Sequence, residues 1–369
     1  TAAAELHPAV IESRYGRVPL IIVTADRPSD LWETGAAQTI DQRSIYGSAA
    51  VWSHDLDVPA TGDAAPGLPA ALAGRLVAES LQAMGPVHLN LRFREPLVPD
   101  GPLPDPVGPV PRIDVGRAAP SAKAIEAVAA LLTGRRGLII SGPQHRPGIA
   151  EAVAAAAASL GFPILADPQS GLLAGGADRS MVLGAGTALA DAGALDVLPP
   201  EVVLRVGPPH LSKRLNEWLA AHPDVPQVHV DDDGWRDPGA SVSHALRADP
   251  ATTLATLAAA TTGPSPDGWA GAWQTSDTAA GTAVAASLGD GPSLTEPAVA
   301  ACVGDSLPDG ALLYVASSMP IRDVALTWRP TDRALRIASN RGANGIDGFV
   351  SSALGAAVAW DGPVVAPVS

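Results

Sequence analysis

Short runs of branched apolar residues alternate along this chain with alanine-rich segments, and that alternation restricts it to an α/β architecture. The clearest run lies in VPLIIVTADRP, where residues 19–24 are almost wholly apolar and largely β-branched. Such a run suits a parallel strand buried on both faces. GPVHLNLRFREPL reads as a second strand, with His88, Asn90 and Arg92 alternating against Val87, Leu89 and Leu91. A helix over residues 69–84 lies between the two.

From about Ser121 the pattern resumes. KAIEAVAALLTG is a helix stopped by Gly134, RGLIISGP a buried strand, IAEAVAAAAASLG a helix stopped by Gly161, and FPILAD a strand. EVVLRVG and QVHVDDD are further strands around the helix LSKRLNEWLAAH. A third block, from about Leu294, holds a helix, the strands ALLYVASS and RALRIA, and FVSSALGAAVAW, which reads as a buried helix. The expectation is three doubly wound parallel-sheet domains, at 1–100, 121–262 and 294–369. A linker over 101–120 joins the first two, because seven prolines between Pro99 and Pro120 exclude a helix or an inner strand. A second loose segment, 263–293, joins the last two. No fixed sequence period relates the blocks. The chain opens inside a helix without a methionine and ends part-way through a strand. It therefore reads as a piece of a longer protein, with its first and third domains incomplete.

Acidic residues outnumber basic ones, 38 to 24, for a formal charge of −14. That field argues against nucleic acid and anionic membranes as partners. No window of about 18 residues is continuously apolar, so no membrane insertion is expected. The single cysteine, Cys302, excludes an internal disulfide and reads as a small buried hydrophobe in a reducing, cytoplasmic setting. The eight histidines show no ligand spacing, and Asp231, Asp232 and Asp233 read as a solvated loop with only a faint claim on a metal. Neither a G-x-S-x-G elbow nor a Walker lysine loop is present.

Four stretches could carry chemistry. SNRGANGIDG, 339–348, places glycines at 342, 345 and 348 between a strand and a helix. This is not the G-x-G-x-x-G of a dinucleotide site. Gly342 and Gly345 suit a turn with positive φ and Gly348 suits close helix packing, but a plain turn has no need of Asn340, Arg341 and Asp347. In TADRPSDLWETGAAQTIDQ, Arg27 follows a strand directly and Gln38 lies in a turn. Arg27 offers a planar fork to a carboxylate or phosphate, or pairs with Asp26 or Asp30. In HLSKRLNEWL, Lys213 and Arg214 oppose the helix dipole at the first turn, facing either a ligand or solvent. In VASSMPIRD, Ser317 and Ser318 end a strand, and Arg322 is free for a ligand or pairs with Asp323 or Asp305. The serines are ligand contacts or helix caps.

TADRP followed by TGAAQ, then GPVHLNLRFREPL, SKRLNEWL, SSMPIRD and SNRGANGIDGFVSSALGAA occur in an order that resembles one family. It is the thiamine-diphosphate-dependent 2-succinyl-5-enolpyruvyl-6-hydroxy-3-cyclohexene-1-carboxylate (SEPHCHC) synthase family of menaquinone biosynthesis. The resemblance spans the whole chain. It implies a pyrimidine-binding domain, a central domain and a diphosphate-binding domain, with thiamine diphosphate and Mg2+ or Mn2+ at the interface of a homodimer or homotetramer. It implies decarboxylation of 2-oxoglutarate and addition of the resulting carbanion to isochorismate. By the same resemblance Arg27, Gln38, Lys213, Arg214, Ser318, Arg322 and Arg341 are substrate contacts. Thr1, Gln38, Ser318, Asn340, Arg341, Gly345 and Ile346 are cofactor contacts, with Ile346 as an apolar wedge under the bent cofactor. Ala37 stands where the family has an asparagine, and Glu5 likewise. The activating glutamate and the Gly-Asp…Asn metal motif lie outside this chain, so the isolated chain is expected to be inactive. A related acetolactate-synthase-like enzyme, or a non-catalytic binding module, are the alternatives.

Overall fold

A computed structural model describes residues 2–58, 67–98, 101–102, 111–289 and 294–368. The chain forms two compact units. Unit 1 comprises residues 1–116 with the loop 340–348, and unit 2 comprises 117–339 with 349–369.

Unit 1 runs α1 (Ala2–Glu5), α2 (His7–Gly16), β1 (Leu20–Asp26), β2 (Trp52–Leu56), α3 (Leu68–Ala83) and β3 (Pro86–Arg92). The sheet order is β1-β3-β2 and both pairings are parallel. Its register sets Thr24 opposite Asn90, Asp26 opposite Arg92, and Asp55 opposite Asn90. β3 is central and buried on both faces, whereas β1 alternates. The expectation that β1 is buried on both faces is corrected. Ile22 packs with Val10 and Tyr46, while Ile21 and Val23 on the other face stay exposed because no described element covers them.

Unit 2 continues with α4 (Ala122–Leu132), β4 (Gly137–Ser141), α5 (Ile149–Leu160), β5 (Ile164–Ala166), α6 (Gly186–Asp191) and α7 (Ala194–Val197). Next come β6 (Val202–Val206), α8 (Lys213–Ala221), β7 (Gln227–Val230), β8 (His244–Leu246), α9 (Pro250–Ala260), α10 (Trp269–Leu288) and α11 (Glu296–Ser306). β9 (Leu312–Val315), α12 (Met319–Thr327), β10 (Arg336–Ser339), α13 (Phe349–Ala359) and β11 (Val364–Val365) complete it. Five strands form a parallel sheet of order β5-β4-β6-β7-β8, and three form a second parallel sheet, β10-β9-β11. One hydrophobic core joins the two sheets, running from Ile139 and Leu204 to Leu313, Val324 and Trp328. The Trp328 indole donates to the Leu173 carbonyl at 3.2 Å.

Several expectations change. Most of the segment 263–293 read as loose is the 20-residue helix α10. Its threonines and glycines have poor helix propensity. Packing overrides this, for Trp273 is wholly buried and the Trp269 indole donates to the Gly137 carbonyl at 2.7 Å. The helix FVSSALGAAVAW buries only Phe349 and Ala353, and leaves Val350, Leu354 and Val358 exposed on one stripe. Cys302 is exposed, not buried. Asp231 is buried and Asp232 pairs with Arg117 and Arg146, so the aspartate run is not a solvated loop. In the proline-rich linker, residues 111–120 have neither helix nor strand, and 103–110 lie outside the described residues. No helix among the described residues is long and apolar enough to cross a membrane.

Candidate active-site elements

The glycine-rich loop 340–348 packs on α2 within unit 1. The amides of Gly342 and Ala343 donate to the two carboxylate oxygens of Glu12, each at 3.0 Å, and the Asn344 side-chain amide donates to the Pro8 carbonyl at 3.0 Å. Turns close between Gly345 N and Gly342 O and between Asp347 N and Asn344 O. Gly342, Gly345 and Gly348 all have positive φ, at 79°, 67° and 76°. Gly348 was expected to serve close packing. Nothing lies within 4 Å of a Cβ built there, so it is the left-handed backbone that requires glycine. The loop is anchored by these bonds and presents Ile346, 62% exposed, and the exposed Arg341, which has no carboxylate partner among the described residues. Glu12 was missed by sequence reading, since a glutamate on a helix carries no signal that it will cap a loop 330 residues away. Bonds to a charged acceptor contribute about 1.5–3 kcal/mol each. Glu12→Ala is therefore expected to raise amide hydrogen exchange at Gly342 and Ala343 at least tenfold, read by exchange mass spectrometry or NMR, which corresponds to roughly 1.4 kcal/mol of local opening.

At the carboxyl end of the unit 1 sheet, the polar side chains of β3 meet those of β1 and β2. The Thr24 hydroxyl donates to Asn90 Oδ1 at 2.8 Å and lies 2.8 Å from His88 Nε2. Asn90 Nδ2 donates to Asp26 and to Asp55, at 2.9 and 2.7 Å. Arg92 pairs with Asp55 and Asp57, and its guanidinium lies over the Trp32 ring at 4.2 Å. Arg43 also lies over that ring, at 4.4 Å, and holds the Asp41 carboxyl down to about 2. Burial lowers His88, against a weaker pull from Asp55, so the imidazole is kept neutral. Trp32 Nε1, Gln42 Oε1 and Arg92 Nε are buried without a partner, each at a cost of about 1–3 kcal/mol. Arg27 is half-buried. The alternative that it pairs with Asp26 or Asp30 fails: Asp30 is held by Arg94 at 2.6 Å, and Asp26 accepts the backbone amide of Arg27, not its guanidinium. Gln38 is exposed with φ 57° in the same loop, and Thr39 bonds the carbonyl of Ala37. Thr1 lies outside the described residues. The polar alternation of His88, Asn90 and Arg92 was legible in the sequence. Its partners Asp26 and Asp55 were not, because they depend on register.

Unit 2 carries the other candidates. Ser318 stands at the N-cap of α12 with φ 81° and ψ −127°, and its side chain makes no capping bond. A non-glycine residue in this region costs about 1–3 kcal/mol, so the capping alternative does not explain it. Arg322 is exposed and meets no carboxylate among the described residues. Asp323 turns inward instead, and burial followed by nearby Glu296 raises its carboxyl. Lys213 and Arg214 do have surface partners, Glu217 at 3.5 Å and Asp196 at 3.7 Å, both exposed. A cleft of about 510 Å3 lined by Asp277, Gly281 and Arg329 contains none of the candidates.

The space beside Gly345 is open and Ile346 offers an exposed branched side chain next to it, which leaves room for the face of a flat ring. No group of three or more metal-ligating side chains occurs among the described residues.

Residues 115–315 match the family described as the middle domain of thiamine pyrophosphate (the diphosphate). The chain is 43% identical to SEPHCHC synthase of Geobacillus kaustophilus, over 97% of this chain and 64% of that protein. It is 40% identical to the synthase of Chloroflexus aurantiacus, over 99% and 64%, and 39% identical to that of Halorubrum lacusprofundi, over 96% and 63%. The chain thus spans a little under two thirds of the length of the curated relatives it matches. With parallel α/β sheets and a middle-domain match over more than half its residues, this chain belongs to the thiamine-pyrophosphate-enzyme family defined by that middle domain.

Proposed function

We propose that this chain is part of a SEPHCHC synthase, joining the four-carbon unit left by decarboxylation of 2-oxoglutarate to isochorismate in menaquinone biosynthesis. The observation that carries the reading is the 43% identity to a SEPHCHC synthase over 97% of this chain, and the motif arginines Arg27, Arg322 and Arg341 support it by having no carboxylate partner among the described residues in a chain of net charge −14. Where acidic residues are in such excess, an unpaired guanidinium fits an external carboxylate, and both substrates are polyanions. Arg27 and Gln38 take the isochorismate side, Arg341 orients the oxoacid carboxylate, and Ser318 and Arg322 complete substrate binding. Lys213 and Arg214 are assigned to substrate by family resemblance, and their exposed partners Glu217 and Asp196 hold them only weakly. Bound thiamine diphosphate supplies the electron sink for loss of CO2. Asn340, Gly345 and Ile346 hold its rings, and Glu12 keeps that loop in place. A divalent metal is assigned by family resemblance alone.

In this reading residues 1–100 belong to a pyrimidine-binding domain, 121–262 to the central domain and 294–369 to a diphosphate-binding domain. The enzyme is cytoplasmic and works as a homodimer or homotetramer. The oligomeric state is assigned by family resemblance. The function itself is tested with the full-length protein, isochorismate, 2-oxoglutarate and Mg2+. Isochorismate consumption that requires both thiamine diphosphate and 2-oxoglutarate supports the assignment, and its absence defeats it.

A further inference from the structure

We propose that Asp26, held by Gln42 and Asn90, is a positioning residue that fixes Arg27 and keeps its guanidinium free for a substrate carboxylate. This deepens the function proposed above and rests on it. β1 ends at Asp26, which strand alternation buries, and the half-buried Arg27 follows it directly. The Asp26 carboxylate is buried and accepts three N–H donors. Its Oδ1 takes the backbone amide of Arg27 at 2.8 Å and Gln42 Nε2 at 3.1 Å, and its Oδ2 takes Asn90 Nδ2 at 2.9 Å. Gln42 also donates to the Ala25 carbonyl at 3.0 Å, which ties the loop after β1 back to the strand end. Thr24 fixes the orientation of the Asn90 amide by donating to its oxygen.

The neighbouring arginines have carboxylates of their own. Arg43 has Asp41, Arg92 has Asp55 and Asp57, and Arg94 has Asp30. Arg27 alone of this group is bracketed by aspartates, at 26 and 30, that are both committed elsewhere. Three of the roughly four acceptor sites of the buried Asp26 carboxylate are taken by N–H donors, and none of them is the Arg27 guanidinium.

The test uses the full-length enzyme with thiamine diphosphate and Mg2+, comparing wild type with Asp26→Asn and Gln42→Met. Asparagine keeps the shape but turns an N–H2 toward donors, so at least one of the three bonds is lost. Methionine keeps the length of Gln42 and removes its donor. The KM for isochorismate is expected to rise about tenfold or more, with kcat and the KM for 2-oxoglutarate changed less than about threefold. Phenylglyoxal labelling of Arg27, read by mass spectrometry, gives a readout without turnover. Isochorismate shields Arg27 in the wild type, and about tenfold more is needed in the variants. If Asp26→Asn does not fold, Gln42→Met carries both readouts. An unchanged isochorismate KM in a folded variant overturns the positioning role while leaving the substrate assignment intact. A parallel fall in kcat and both substrate affinities, tracking a lower melting temperature, marks a merely structural role and also overturns it. A wild type that neither consumes isochorismate nor is shielded by it removes the functional reading and this proposal together.

Discussion

Arg341→Ala in the full-length enzyme should lower kcat/KM by roughly 2–5 kcal/mol of transition-state stabilisation, a drop of about thirtyfold to several thousandfold. The size follows from where the arginine stands. Its loop is braced at Gly342 and Ala343 by Glu12, so the guanidinium is presented from a fixed backbone. It has no carboxylate partner of its own among the described residues, so nothing inside the protein is released to offset the loss. Because Arg341 is exposed, its removal should change folding stability by no more than about 0.5 kcal/mol. Activity and stability are thereby separated in one variant. Arg341→Lys should also be impaired, since a point charge does not replace a planar two-pronged contact. Wild-type turnover by the alanine variant would defeat the assignment of Arg341.

The second large effect is on folding. Arg205 lies in the central sheet on β6, buried, and its guanidinium donates to Asp237 at 3.0 Å, to Gln227 Oε1 at 3.3 Å and to the Arg236 carbonyl at 3.2 Å. Arg205→Ala strands a buried carboxylate and should cost about 3–5 kcal/mol. The double variant Arg205→Met/Asp237→Leu should be much milder, because replacing both charges with apolar groups removes the desolvation penalty too. Urea unfolding followed through the buried Trp218, Trp269 and Trp273 of the same unit measures both. Equal losses in the single and double variants would refute this account. Burial works to raise the Asp237 carboxyl, but the Val242 amide, Arg205 and the Ser241 amide outweigh it and hold the group below its usual range. The stability it contributes is therefore complete above the unfolded value of about 3.9, and is lost as the pH falls through the lower folded value. In Arg205→Ala this acid-side loss should shrink.

The parallel α/β class was legible because apolar runs and alanine-rich helices differ in period, and period is a local property. The helix stops at Gly134 and Gly161 were legible for the same reason, as each glycine takes the left-handed conformation. α10 was not legible. Its glycines and threonines speak locally against a helix, and only the seating of Trp269 and Trp273 in the core of unit 2 decides otherwise. The candidate residues divide in the same way. The sequence by itself determined that arginines 27, 322 and 341 follow strands or open helices, and that 339–348 must turn sharply at three glycines. Only the tertiary structure decided which arginines remain unpaired, that Ser318 is strained and not a cap, and that Asp26 and Glu12 hold the neighbouring backbone. Whether a charge is neutralised depends on which groups the fold brings within about 4 Å, and sheet register and helix packing set those distances between residues far apart in the chain.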